Sequence, residues 1–234
     1  MNFWAIVDHD QLFSIIGHDL RSPISSINQL IEILHTHWNE WDSETINSTL
    51  ETLKSSSAET YKLLENLLEW ANSQRLDKFK PVQTDLIPIL EDVFALTKGT
   101  ASSKNISIQK KLLQNAPVFV DVEMIKTVLR NLIGNSIKFT PSGGNITIDL
   151  KENSNTYLVS IKDNGLGISE KDQLLLFDNA SSISTPGTNN ERGTGLGLKL
   201  VKKFIDKNSG EIFVKSKPGE GSQFSFTLPK ANQR

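Results

Sequence analysis

The chain contains no cysteine. Disulfides and thiolate metal sites are therefore excluded, and a reducing compartment is permitted. Four histidines, at positions 9, 18, 35 and 37, do not suggest a zinc site either. No charge sign dominates: 25 basic side chains stand against 27 acidic ones, a formal net charge of −2. Without a basic field, no nucleic-acid partner is expected. There is no apolar run of the ~18–20 residues that cross a bilayer. Phe3-Trp-Ala-Ile-Val7 is too short for a span and lacks the basic flank of a signal peptide. These residues are expected to make no membrane contact. A hydrophobic content of 37% suffices for a globular core and argues against wholesale disorder. The length fits one large domain or two small ones.

The pattern divides the chain. Phe13, Ile16, Leu20, Ile24, Ile27, Ile31 and Leu34 recur three and four apart, and so do Ile46, Leu50, Leu53, Ser57, Thr60, Leu64, Leu67 and Ala71, with two small polar residues in the stripe. Residues 1–76 thus read as two long helices, joined by a polar turn over His35–Ser43 with Ser43 as N-cap of the second. Two such helices cannot bury their stripes alone, and two copies packed as a four-helix bundle can, so a homodimer is expected. Pro23 removes one helical hydrogen bond and suggests a bend just after His18.

Residues 77–84 read as a linker, and 85–234 mix helices with strands. Helices are expected over Asp85–Thr97, from a cap at Asp121 to Phe139, over Ser169–Phe177 and over Leu196–Asn208. Strands are expected at Ile106–Lys111, Val118–Val120, Asn145–Lys151, Thr156–Lys162, Glu211–Ser216 and Gln223–Leu228. Ala180–Arg192, rich in Ser, Thr, Asn and Gly, reads as a mobile loop. The order suggests a two-layer α/β sandwich.

Three segments could carry ligand chemistry. Asn131, Asn135 and Lys138 fall on one face of an otherwise apolar helix. Amide oxygens suit Mg²⁺ and an ammonium suits phosphate, while Phe139 could lie against a flat base. The alternative is an amphipathic helix facing water. Asp163-Asn-Gly-Leu-Gly-Ile168 ends a strand: its carboxylate could accept from an amino group, or the segment could be an ordinary turn. Gly193-Thr-Gly-Leu-Gly-Leu198 opens a helix, where free amides favour anions. It follows no βαβ unit and carries no Walker lysine, so neither a Rossmann nor a P-loop fingerprint applies. His18 stands beside Asp19 within Phe13-Ser-Ile-Ile-Gly-His-Asp-Leu-Arg-Ser-Pro23, whereas His9, His35 and His37 read as surface residues.

Taken in order, these segments resemble the boxes of bacterial sensor histidine kinases. Phe13–Pro23 resembles the H-box, Asn131–Thr140 the N-box, Asp163–Ile168 the G1 box, Leu175-Leu-Phe177 a reduced F-box and Gly193–Leu198 the G2 box. The resemblance implies a dimerisation and histidine-phosphotransfer helical hairpin over 1–76 and a Bergerat-type (GHKL) ATP-binding domain over 85–234. It implies that His18 accepts phosphate from ATP with Asp19 as acid/base partner. Asn135, with Asn131 nearby, would hold Mg²⁺; Lys138 would meet phosphates, Phe139 the adenine face and Asp163 the adenine amino group. Gly165, Gly167, Ile168, Gly193, Thr194, Gly195, Leu196, Gly197 and Leu198 would shape the pocket. The phosphoryl group would pass to the receiver domain of a response regulator, in the cytoplasm, with the full-length protein anchored in an inner membrane as a sensor. The sequence departs from the family in its reduced F-box and in Ser22, which stands where phosphatase-competent relatives have Thr or Asn. Two rivals remain: an ATPase of the gyrase or chaperone type that hydrolyses ATP with water, and a silent dimeric scaffold.

Overall fold

The computed structural model describes the backbone of residues 3–73, 79–178, 185–189, 191, 195 and 197–231. In the first helix side chains are described from Leu20 onward, and in the second all but residues 59, 62, 63, 65–67 and 69–73. The chain divides into two compact units, Met1–Gln74 and Arg75–Arg234.

The first unit is a helical hairpin, α1 (Phe3–His37) packed on α2 (Ser43–Ser73). The turn closes on the His37 carbonyl, which accepts from the amides of Glu40 at 2.9 Å and Trp41 at 3.1 Å. The His37 ring stacks on Trp41 at 5.6 Å between centroids, and its Nδ1 lies 2.8 Å from a Glu40 carboxylate oxygen. His37 is thus part of the turn's structure, not only a surface residue. The sequence places the α2 cap at Ser43. The structure gives it to Asp42, whose carboxylate accepts from the Thr45 amide at 2.7 Å. That hydrogen bond holds the Asp42 carboxyl below its ordinary pKa. α1 continues through Pro23, whose nitrogen has no hydrogen for the Asp19 carbonyl. Among the described hairpin residues only Leu34 is fully buried, while Ile24, Ile31, Leu50 and Leu64 of the two stripes are exposed.

The second unit is built from β1 (Val82–Asp85), α3 (Leu86–Ser103), β2 (Ser107–Lys111), β3 (Pro117–Val120), α4 (Val122–Phe139), β4 (Asn145–Glu152), β5 (Thr156–Asp163), α5 (Glu170–Leu175), α6 (Gly197–Lys207), β6 (Ile212–Lys217) and β7 (Gly221–Pro229). Five strands form the main sheet in the order β2-β4-β5-β7-β6, antiparallel except for the parallel pair β2 and β4. Helices α3, α4 and α6 lie against it with α4 in the middle, giving a two-layer sandwich. The core alternates along the strands as period two requires: Ile146, Ile148 and Leu150; Tyr157, Val159 and Ile161; Phe224, Phe226 and Leu228.

Two features depart from the sequence expectation. Residues 82–84 of the expected linker are not linker but belong to β1, which pairs antiparallel with β3 as a separate two-stranded sheet. Four residues with a half-exposed pattern leave too little alternation for sequence to detect. Helix α3 also runs on past Thr97, through Gly99, to Ser103. Its end is a Schellman turn: Asn105 takes φ 55°, its amide bonds the Ser102 carbonyl at 3.0 Å, and the Ile106 amide bonds the Ala101 carbonyl at 2.9 Å.

Caps lock the helices to one another. Asp121 caps α4 by accepting from the Met124 amide at 3.1 Å. Its own amide donates to the Asn208 carboxamide oxygen at 2.8 Å, and the Asn208 nitrogen donates to the Phe204 carbonyl at 2.8 Å. Asn208 is buried and joins the start of α4 to the end of α6. Asn208→Ala should therefore cost about 1–3 kcal/mol, since it leaves the buried Asp121 amide without a partner. Urea unfolding measures this, and a loss under ~0.5 kcal/mol would contradict the role.

Candidate functional site

Strand period puts Asp163 on the inner face of the sheet. It follows Tyr157, Val159 and Ile161 at steps of two, so its carboxylate points where they point, toward the helices. It is 4% exposed. One oxygen accepts from the amides of Gly165 at 3.0 Å and Ser222 at 3.1 Å, and the other from the Ser136 hydroxyl of α4 at 3.3 Å. Burial pushes its pKa up, and these three hydrogen bonds pull part of the way back. The result is a fixed acceptor with lone-pair capacity left on the oxygen facing α4.

Helix α4 turns its apolar side, including Val128, Leu129, Leu132 and Ile133, into the core. Asn131, Asn135 and Lys138 remain half-buried along another side. The Asn131 amide nitrogen donates back to the Thr127 carbonyl at 3.0 Å. Its oxygen faces Gly197, where an added Cβ would come within 2.5 Å. Only glycine lets the start of α6 sit this close to Asn131. The Asn135 side chain makes no hydrogen bond among the described residues. Its amide oxygen therefore suits a hard cation that takes its other ligands from phosphate and water. Among the described residues no cluster of His, Asp and Glu could hold a metal by itself. Lys138 holds its ammonium 4.6 Å above the Phe139 ring and donates to the Thr185 carbonyl at 3.1 Å.

The last turn of α4 is where the site's segments meet. A helix leaves its final carbonyls without helical partners. Here the Ser136 carbonyl accepts from the Thr140 amide at 3.1 Å, and that of Phe139 from the Leu166 amide at 3.1 Å. The Ile137 and Lys138 carbonyls accept from the Lys104 ammonium at 3.0 and 2.9 Å. Thr188 adds its amide at 3.1 Å and its hydroxyl at 3.2 Å to the Lys138 carbonyl. The ammonium of Lys104 completes its set on Glu191 at 2.9 Å. Burial pushes the Glu191 carboxyl up, but the Lys104 hydrogen bond and the Asn189 amide outweigh it and hold the pKa below the ordinary range.

The structure thus brings together Asn131, Lys138, Phe139, Asp163, Gly165 and Gly197. Gly165 is pinned beneath α4, since a Cβ there would lie 2.4 Å from the Phe139 carbonyl. Gly167 (φ 70°) continues the loop against the β6–β7 turn, and the Ile168 amide donates to the Ser216 hydroxyl at 2.8 Å. Gly195 has φ 67°, and Leu198 lies half-buried in the first turn of α6. Gly193, Thr194 and Leu196 lie outside the described residues, as does most of the loop expected at 180–192. The side chains of His18 and Asp19 lie outside them too, although both residues belong to α1. Ser22 is exposed on that helix, its carbonyl accepting from the Ser26 hydroxyl at 3.1 Å. Sequence reasoning missed Ser136, Ser222, Lys104, Thr188 and Glu191. Of these only Lys104 had a local signal, a lysine followed by an asparagine able to take positive φ at a helix end.

Residues 120–232 match the family described as histidine kinase-, DNA gyrase B-, and HSP90-like ATPase. The adaptive-response sensory kinase SasA of Synechocystis is 31% identical over 229 residues, which span 94% of this chain and 59% of that protein. The SasA of Microcystis aeruginosa is 30% identical over 227 residues, with the same 94% and 59% coverage. The chain therefore spans under two thirds of these relatives. The structure of histidine kinase ThkA in complex with the response regulator TrrA is similar in fold, with a TM-score of 0.76 at 23% identity, covering 96% of this chain and 63% of that one.

Asp163 carries a pH signature. A carboxyl whose folded pKa is raised adds stability that is fully present below its unfolded pKa and is lost as pH rises through the folded value. Asp163→Asn does not titrate. The stability of the natural protein relative to this variant should therefore fall as pH rises across that window. Parallel denaturation curves from pH 3.5 to 7 measure it, and a difference that grows with pH in favour of aspartate would overturn it.

Proposed function

We propose that this chain, whose residues 120–232 match the histidine kinase-, DNA gyrase B-, and HSP90-like ATPase family, is the core of an ATP-dependent protein histidine kinase in two-component signalling. The observation that carries the reading is the buried Asp163 carboxylate, fixed by two backbone amides beside the polar side of α4. Such an acceptor suits the adenine amino group, and Phe139 offers a ring for the base. Lys138 would meet the phosphates. Asn135, with Asn131 beside it, would hold Mg²⁺, whose chemistry is to neutralise phosphate charge. Gly165, Gly167, Ile168 and the Gly193–Leu198 segment would shape the pocket.

In this reading a ring nitrogen of His18 forms a bond to the γ-phosphorus as the P–O bond to ADP breaks. Asp19 would hold the proton on the other nitrogen, fixing the tautomer. The hairpin would dimerise into a four-helix bundle, which its exposed stripe residues support. ThkA was solved with a response regulator, and we extend that class of partner to this chain: His18 would pass its phosphate to a receiver aspartate. In this reading the reaction would run in the cytoplasm, with an inner-membrane sensor as its setting. No described helix is long and apolar enough to cross a membrane. Ser22, at His18 + 4 on the same helix face, would orient water for phosphatase action less firmly than threonine, because its hydroxyl rotates freely.

Incubation with γ-labelled ATP tests the reading. Label should appear on the protein as an acid-labile, base-stable adduct, and His18→Ala should abolish it with nucleotide affinity unchanged. Label released only as free phosphate would favour a hydrolytic ATPase instead. Asn135→Ala should weaken nucleotide binding about tenfold with magnesium present, the loss of one contact to charge worth ~1.5 kcal/mol, and much less with the metal chelated. Equal losses in both conditions would refute the metal role.

A further inference from the structure

Lys104 is 6% exposed and lies far in sequence from every motif described above. Its ammonium has three protons and three acceptors: the carbonyls of Ile137 and Lys138, and Glu191. A buried ammonium is costly unless paired, and helix-end carbonyls supply only partial charge. Glu191 is the carboxylate that completes it. The same side chain organises its own segment. Its second oxygen accepts from the Asn189 amide at 2.8 Å, and its carbonyl accepts from the Gly187 amide at 2.8 Å.

This compact turn presses on one side chain of the site. A Cβ at Gly187 would lie 2.6 Å from Lys138 Cγ and 2.3 Å from the Glu191 carboxylate. Thr188 docks on the Lys138 and Thr140 carbonyls, the latter at 3.0 Å from its hydroxyl. The Thr185 carbonyl meets the Lys138 ammonium. Lys138 is therefore held at its backbone, stem and amine by residues that Glu191 anchors through Lys104.

We propose that Lys104 and Glu191 are a positioning pair that fixes residues 185–189 against the last turn of α4 and thereby sets affinity for the phosphate end of the nucleotide. The proposal rests on the ATP-site reading above. Neither residue need touch substrate; they act through Lys138. The base end depends instead on Asp163, held by the amides of Gly165 and Ser222 and the Ser136 hydroxyl, none of which Lys104 or Glu191 contacts. Loss of the pair should thus separate phosphate affinity from base affinity, which general destabilisation would not do.

The test is equilibrium binding of ATP, ADP and adenosine to the full chain. Glu191 is the cleaner position, because its side chain is 36% exposed and replacing it leaves no cavity. Glu191→Gln keeps shape and the acceptor for Asn189 but removes the charge. It should weaken ATP and ADP by about five- to tenfold and leave adenosine within about twofold, while the melting midpoint falls because the buried Lys104 ammonium loses its charged partner. Lys104→Met should act in the same direction with added loss of stability. The double variant should bind no worse than Lys104→Met alone, because the two residues act as one unit. Natural affinity for ATP in Glu191→Gln, or equal losses for ATP and adenosine, would overturn the positioning role. If the natural chain bound neither ATP nor ADP, the site reading beneath the proposal would fall first.

Discussion

A helix that ends inside a protein must find donors for its last carbonyls, and in this chain that requirement shapes the site. The final turn of α4 exposes carbonyls that no α4 amide can reach. Their donors come from three distant segments: Lys104 from the end of α3, Leu166 from the loop after β5, and Thr188 from the segment before α6. Two of the three, the Leu166 loop and the Thr188 segment, carry or adjoin residues that the proposed reading assigns to nucleotide. One backbone constraint thus draws together parts of the sequence separated by more than eighty positions. A Schellman or glycine cap at Phe139 would have satisfied the same carbonyls locally, and these segments would not have been gathered.

The sheet supplies the second element. Strand period alone decides that Asp163 faces inward, and the amides of Gly165 and Ser222 make that burial tolerable. A carboxylate on the outer face would be solvated and free to rotate. Here it is oriented and poorly hydrated, so a ligand that offers it a donor competes with little water.

Much of this was legible in the sequence. The apolar period located α4 and the strand pairs, and the acidic cap at Asp121 fixed one helix start. Asn131, Asn135 and Lys138 stood out because polar residues interrupt an apolar helix, and Asp163 because it ends a strand before glycines. Lys104, Glu191 and Ser222 could not be found that way. Their roles depend on which distant backbone groups they reach, and no local period encodes that. Strand β1 escaped for a different reason: four residues pairing with β3 leave no alternation to detect. The cap at Asp42 was misplaced by one residue because Asp42 and Ser43 are equally suitable chemically, and only geometry chooses.

The centre of the main sheet joins strands that are far apart along the chain. Strand β4 meets β5 through a short turn, and β6 meets β7 likewise, but β5 pairs with β7 across the intervening helices. The two hairpins can each form locally, while their union must close a long loop and comes later in folding. The Ser222 amide reaches Asp163 only through that union, at a separation of 59 residues. Until it forms, the carboxylate lacks one of its three donors and its cover. On the ATP-site reading proposed above, competence to recognise a base would therefore be acquired at the last stage of sheet assembly, and a chain that stalls as two hairpins would carry every motif without the assembled site.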